Sequence, residues 1–349
     1  MKTTFKVAAV SASPVYMRLD ETVEKATTII ADAAQREVQL VAFPEVFLPG
    51  FPYWIFLDSP MKHSRYYRLL YKNSVEVPGS HMRYLQDIAK RYHIAVSIGL
   101  NEANGQQYGT IWNTNVLIDE NGNIVSRHRK LVPTFAEKLV WAYGDGNGLG
   151  VYRLNGMQVG ALICGENTNT LARFALLAQG EQVHVASYPA YPFRMDFSER
   201  YDIIEAIRIR SAAHSFEGKV YNVVATQVMA PDVIELLADT EEKHTILTES
   251  RISFSGIFGP SGRCISEELI DTEGLIVSEI NFDAIVEAKQ QHDIVGGYNR
   301  FDVFRLQLNK APTTDAIYST GNDLYFPYDG DVEESVRATN LTSDNPNLL

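Results

Sequence analysis

The chain opens on an apolar run, Phe5-Lys6-Val7-Ala8-Ala9-Val10, and returns to a second one at Val38-Gln-Leu-Val-Ala-Phe43. Between them Val23, Ala26, Ile30 and Ala33 recur at helical spacing, with Asp20 placed as an N-cap. A β-α-β start of this kind implies a sheet covered by helices, because the strands need a helical face to bury against. The same alternation continues. A helix is expected over 81–92 and a buried strand over 94–99. Strands at 110–118 and 124–128 flank Asn121-Gly122, a strong hairpin turn signal. Further strands are expected at 151–154, 157–164, 182–187, 220–226, 252–258 and 274–280, with helices over 167–178 and 200–216. The acidic stretch 231–249 reads as loop. Past residue 308 the apolar periodicity fades, so 1–308 is expected to form one α/β domain and 309–349 an extended tail.

Charge and cysteine usage narrow the class of function. The chain has 349 residues and a formal net charge of −12, with no long run of Lys or Arg, which argues against a nucleic-acid partner. Its two cysteines, Cys164 and Cys264, make no disulfide framework and no CxxC pair, so a reducing, cytoplasmic setting is expected. Phe5–Val10 is too short for a signal-peptide core, and no apolar run approaches the ~20 residues of a membrane helix. The eight histidines show no metal-ligand spacing, and the glycines of 135–150 lack the GxGxxG pattern. No cofactor or metal is expected.

The chemistry points to Val159-Gly-Ala-Leu-Ile-Cys164-Gly165-Glu166-Asn167, where an apolar strand delivers a thiol into a small, polar turn. A sulfur at a strand-to-helix corner lies near backbone N–H groups that favour a thiolate and any oxyanion formed beside it. On this local pattern alone, a nucleophile and a buried structural cysteine both remain open. Two charged residues stand at other strand ends. Glu45 follows the run ending at Phe43, and Lys130 closes the basic cluster Arg127-His-Arg-Lys130. Either alone is an ordinary surface residue. Sheets gather ligands at their strand ends, so the three could converge on one site.

The segments Phe43-Pro-Glu45-Val-Phe-Leu-Pro-Gly50, His128-Arg-Lys130-Leu-Val-Pro-Thr134 and Cys164-Gly-Glu166-Asn167 resemble the three signature blocks of the nitrilases, within the carbon–nitrogen hydrolase superfamily. The block Phe135-Ala-Glu137-Lys-Leu-Val-Trp141-Ala-Tyr-Gly-Asp145-Gly is similar to the sequence that follows the nitrilase lysine. The resemblance implies a four-layer α-β-β-α sandwich, paired into homodimers that build larger oligomers or spirals. It implies Cys164 as nucleophile, Glu45 as general base, Lys130 as the cation supporting the tetrahedral intermediate, and Glu137 as a second carboxylate positioning Lys130 or a water. The reaction it implies takes a nitrile and water to a carboxylic acid and ammonia.

Two features depart from the common pattern. Gly165 stands where many nitrilases carry tryptophan, and Gly-Gly-Tyr298 stands where Gly-His-Tyr is frequent. A small residue at 165 is expected to widen the space beside the sulfur and to admit aryl-bearing nitriles such as arylacetonitriles. Tyr53, Trp54, Trp141 and Tyr188 are the candidate lining groups. The rival readings are an amidase or carbamoylase with the same three residues, a hydratase-like enzyme that stops at the amide, and a catalytically silent binding protein. Cys264 reads as structural.

Overall fold

The structure is a computed structural model; it describes residues 2–105, 107–192, 201–248 and 252–312, and the backbone of 317–319 and 323–325. In chain order the elements are β1 (Thr4–Ser11), α1 (Leu19–Gln35), β2 (Leu40–Ala42), α2 (Ser64–Lys72), β3 (Val75–Glu76), α3 (Ser80–Tyr92), β4 (Ala95–Ala103), β5 (Ile111–Ile118) and β6 (Ile124–Arg129). There follow β7 (Tyr152–Leu154), β8 (Met157–Ile163), α4 (Thr170–Leu177), β9 (Val183–Tyr188), α5 (Ile203–Gly218) and β10 (Tyr221–Thr226). The chain continues through α6 (Pro231–Leu237), α7 (Glu241–Leu247), β11 (Phe254–Phe258), β12 (Leu269–Ile270), β13 (Gly274–Asn281) and α8 (Asp283–Gln291).

Thirteen strands are joined by hydrogen bonds in the order β6-β5-β4-β2-β1-β10-β9-β8-β7, with β13 beside β1, β3 beside β4, and β11 and β12 beyond β10. The network narrows at one place. β1 meets β10 through the single pair Ser11 and Thr226, whereas β1 pairs with β13 along its whole length. At that seam the strands divide into two sheets that pack face to face.

Alternation along the strands shows why. Phe5, Val7 and Ala9 of β1 and Leu40 and Ala42 of β2 turn inward, against Val183 and Val185 of β9 and Tyr221, Val223 and Ala225 of β10. The residues between them, Ala8, Val10 and Val41, face outward onto Val23, Ala26 and Ile30 of α1 and Leu85 and Ile88 of α3. On the far side Ala186, Tyr188 and Val224 face Ile204 and Ile207 of α5, and Leu162 packs under Ala172 and Leu176 of α4. The result is the expected four-layer α-β-β-α sandwich.

Three local expectations are corrected. Asp20 is not the cap of α1: the helix starts one residue earlier, at buried Leu19, and Asp20 sits in its first turn, where it accepts from His81 Nε2 at 2.7 Å. The helix expected over 167–178 is split. A single 3₁₀ turn spans Cys164–Thr168, and α4 begins at Thr170 because Asn169 Oδ1 takes the N–H groups of Leu171 and Ala172. The amino end of α4 is therefore capped by Asn169 rather than offered to the sulfur. The stretch expected as loop over 231–249 holds α6 and α7, opened by Pro231 and by the Thr240 cap. Beyond 312 the expected tail falls outside the described residues, apart from two short strands, Ile317–Ser319 and Asp323–Tyr325, paired antiparallel.

Candidate active site

Each of the three strand-end residues sits where its strand stops. Glu45 follows β2 by three residues, Lys130 is the residue after β6, and Cys164 is the residue after β8. Glu45 and Lys130 come from the first sheet and Cys164 from the second. Glu45 and Lys130 are buried, and Lys130 Nζ donates to Glu45 Oε1 at 2.8 Å and to Glu137 Oε2 at 2.7 Å. Glu137 is fixed by the Thr134 turn, whose backbone N–H donates to the same Oε2 at 2.7 Å. The ammonium thus lies between two carboxylates.

Asn113, on β5, donates to Glu45 Oε1 at 2.6 Å, and Gln227, just past β10, donates from its side chain to the Glu45 carbonyl at 2.5 Å. One carboxylate oxygen of Glu45 therefore has two side-chain donors. The other, Oε2, is buried and has no hydrogen-bond partner among the described residues. Burial pushes the Glu45 carboxyl up to about 7; Lys130 pulls against that rise and the charge of Glu137 adds to it. Burial opposes a charged Lys130, yet Glu137 and Glu45 together hold its ammonium well above the usual lysine range.

Cys164 is partly accessible and has φ of 50°, the left-handed region that non-glycine residues rarely occupy. Burial around the thiol pushes its pKa up, Glu45 pushes it further, and Lys130 acts in the opposite direction. The sulfur is thus electrostatically coupled to both charged residues, and no standing thiolate is favoured until a base takes its proton.

A further carboxylate, Glu166, ties the two strand ends together. It accepts from Ile163 N at 2.9 Å on the cysteine side, and from Leu131 N at 2.7 Å and His128 Nε2 at 2.9 Å on the lysine side. Burial disfavours its charge, but His128 and the two backbone donors hold its carboxyl below the usual range. Sequence reasoning placed Glu166 in a motif without a task. Asn113, Gln227 and His128 went unassigned, since the partners they reach lie 68, 182 and 38 residues away.

The aromatic candidates are all buried. Trp141 lies with its ring centroid 5.8 Å from Lys130 Nζ and donates to Asn101 at 2.9 Å. Tyr53 reaches Gln227 with its hydroxyl at 3.3 Å, one step from Glu45. Tyr188 ends β9; burial raises its pKa, and Arg210 and Cys164 act on it electrostatically. Trp54 stacks on Tyr66 at 5.5 Å, in the apolar cluster it shares with α2, α6 and α7. At Gly165 a Cβ would meet Thr134 Oγ1 at 2.9 Å and, among the described residues beyond its chain neighbours, no other atom within 4 Å. A larger side chain there would press on the turn that holds Glu137.

Residues 6–290 match the family model described as carbon-nitrogen hydrolase. The chain is 38% identical to an aliphatic nitrilase of Rhodococcus rhodochrous over 89% of its length and 84% of that protein. It is 32% identical to a bromoxynil-specific nitrilase of Klebsiella pneumoniae subsp. ozaenae, over 93% of its length and 91% of that protein. Among solved structures, a carbon-nitrogen hydrolase from Helicobacter pylori G27 superposes with a TM-score of 0.66 at 15% identity, covering 86% of this chain and 97% of that one.

Proposed function

The chain belongs to the nitrilases of the carbon–nitrogen hydrolase family, and from that premise we propose that it hydrolyses an organic nitrile to the carboxylic acid and ammonia with Cys164 as nucleophile. One observation carries this reading. A buried ammonium is shared by two carboxylates, and one of these, Glu45, keeps a buried oxygen free while coupled to a partly accessible thiol.

The steps follow from these groups. Glu45, with its pKa near 7, takes the thiol proton through Oε2 as sulfur attacks the nitrile carbon. The S–C bond forms, the nitrile nitrogen receives the proton, and a thioimidate results. Glu45 then deprotonates a water that adds to the same carbon. The tetrahedral species develops negative charge, which the Lys130 ammonium stabilises while Glu137 keeps that ammonium in place. The proton held by Glu45 returns to nitrogen, the proton of the new hydroxyl follows it, and as the C–N bond breaks ammonia leaves and a thioester remains. A second water, activated in the same way, releases the acid and restores the thiol.

The substrate class we propose is an aryl-bearing nitrile such as an arylacetonitrile. Supporting it are the glycine at 165, near whose missing side chain the Thr134 hydroxyl alone lies among the described residues beyond its chain neighbours, and the nearness of Trp141 to Lys130 and of Tyr188 to Cys164. The test is ammonia release from phenylacetonitrile against small aliphatic nitriles, with amide measured alongside acid. Preference for the aliphatic set would refute the substrate class, and amide as main product would refute full hydrolysis. Cys164→Ala and Lys130→Ala are each expected to abolish ammonia release while circular dichroism stays unchanged. Turnover surviving in Cys164→Ala would end the mechanism.

A further inference from the structure

Beneath α4 and α5 lies a row of buried polar side chains that the steps above do not use. Glu181 accepts from His184 Nδ1 at 2.7 Å through Oε1 and from His214 Nε2 at 2.8 Å through Oε2, with all three residues buried. Gly160 on β8 makes room for this carboxylate, since a Cβ there would collide with Glu181 Oε1. On its other side His184 meets Asn167 Oδ1 through Nε2 at 2.8 Å. The Asn167 amide then donates to the carbonyl of Leu162 at 3.2 Å and to that of Cys164 at 3.0 Å. It therefore fastens backbone oxygens on both sides of the left-handed turn at the cysteine.

Donor counting fixes the hydrogens in this row. Two carbonyls can be met only by the NH₂ end of Asn167, so its oxygen faces His184. An amide oxygen only accepts, so His184 Nε2 carries a hydrogen. The Glu181 carboxylate also only accepts, so His184 Nδ1 carries one too. Both ring nitrogens of His184 thus donate, one to the Glu181 carboxylate and one to the Asn167 amide oxygen. His214 needs a hydrogen at Nε2 alone, and its Nδ1 has no partner. Burial raises the Glu181 carboxyl, but His184 and His214 bring it down to about 2. Burial, and then the charge of His184, push His214 down to about 4.

We propose that Glu181, His184 and Asn167 are positioning residues for the nucleophile: the buried His184 ring, held by Glu181, keeps the Asn167 amide in the one orientation that clamps the carbonyls of Leu162 and Cys164. The proposal rests on Cys164 being the nucleophile. Were Nε2 of His184 bare, the amide would turn, set its oxygen against two carbonyl oxygens, and release the strained turn. The ligand atoms of Glu181, His184 and His214 lie within 4.8 Å of one another, so a metal ion is the competing occupant. A bound metal would displace the hydrogen from His184 Nδ1.

The first arm of the test is ¹⁵N NMR of histidine-labelled protein at neutral pH, with the His184 signals assigned through His184→Gln. Hydrogens on both ring nitrogens are expected. A single protonated nitrogen, or one equivalent of bound metal by elemental analysis, would overturn the proposal. The second arm is Asn167→Asp, which still accepts from His184 but cannot donate to the carbonyls. Its kcat is expected to fall about 100-fold, the scale of a misplaced reacting group. KM should change little, and alkylation of Cys164 by iodoacetamide should slow in parallel. His184→Gln, which can still donate to Asn167, is expected to keep most of kcat, and His184→Leu to lose it. Wild-type kcat and alkylation in Asn167→Asp would overturn the proposal. Alkylation and NMR need no nitrile, so a chain inert towards nitriles would sink the functional reading while leaving this one separately testable.

Discussion

The two helical layers are built differently although each covers one face of a sheet. Over the first sheet, α1 and α3 present Val23, Ala26, Ile30, Ala33, Met82, Leu85, Ile88 and Ala89 to strand residues that are also apolar. Each large side chain buried there stabilises the fold by about 1.5–3 kcal/mol. Over the second sheet, the apolar contacts of α4 and α5 are interrupted by Glu181, His184, His214, Ser211, Ser215 and Asn222, all buried. A buried polar group costs stability unless its partners are met, so such a row is worse packing than hydrocarbon. The layer that gives up stability is the one that leads to the cysteine turn. The helical layers that hold the sheets together are thus separate from the strand-end side chains that the proposed chemistry uses, Glu45 and Lys130 on the first sheet and Cys164 on the second.

That separation can be broken by experiment. The largest effect is expected from Glu45→Gln, which keeps the shape of the site and removes the base. Its kcat should fall about 10²–10⁴-fold with urea unfolding almost unchanged. A large loss of stability with normal turnover per folded molecule would make Glu45 part of what holds the fold together rather than of the chemistry. Next is Ile30→Ala in the α1 layer, which should cost about 2–5 kcal/mol in urea unfolding and leave kcat per folded enzyme as it was.

Glu137→Gln sharpens the contrast through pH. With Glu45 as the proposed base acting in its carboxylate form, kcat/KM is expected to fall as pH drops through about 7 in the wild type. Glu137 is one of the charges that raise Glu45, so its removal should carry this acid limb to lower pH. A limb that stays in place would uncouple the two acids. Smallest is Asp32→Asn on the exposed side of α1, where the pair with Arg36 should be worth about 0.3–0.5 kcal/mol and nothing in rate.

The three strand-end residues were legible in the sequence because strand ends are legible. Apolar runs that stop at Phe43 and Ile163, and a basic cluster that ends a hairpin, place Glu45, Cys164 and Lys130 without any tertiary information. The groups that orient them were not. Glu166 is adjacent in sequence to the cysteine turn but acts through His128 and Leu131 on the other sheet, and Glu181 meets His214 across 33 residues. Hydrogen-bond partners at such separations leave no periodic trace. The helices over 231–247 were missed for another reason: α6 buries only Val233 and Leu237, too little apolar signal to outweigh its acidic surroundings.

The single pair joining Ser11 to Thr226 has a further consequence. Glu45 and Lys130 ride on one sheet, Cys164 on the other, and the backbone ladder barely crosses between them. Reactivity is therefore a property of how the two sheets are seated, and neither half of the chain could be trimmed into a smaller working enzyme. A slip of one sheet over the other would silence the chemistry while every strand and helix stayed intact.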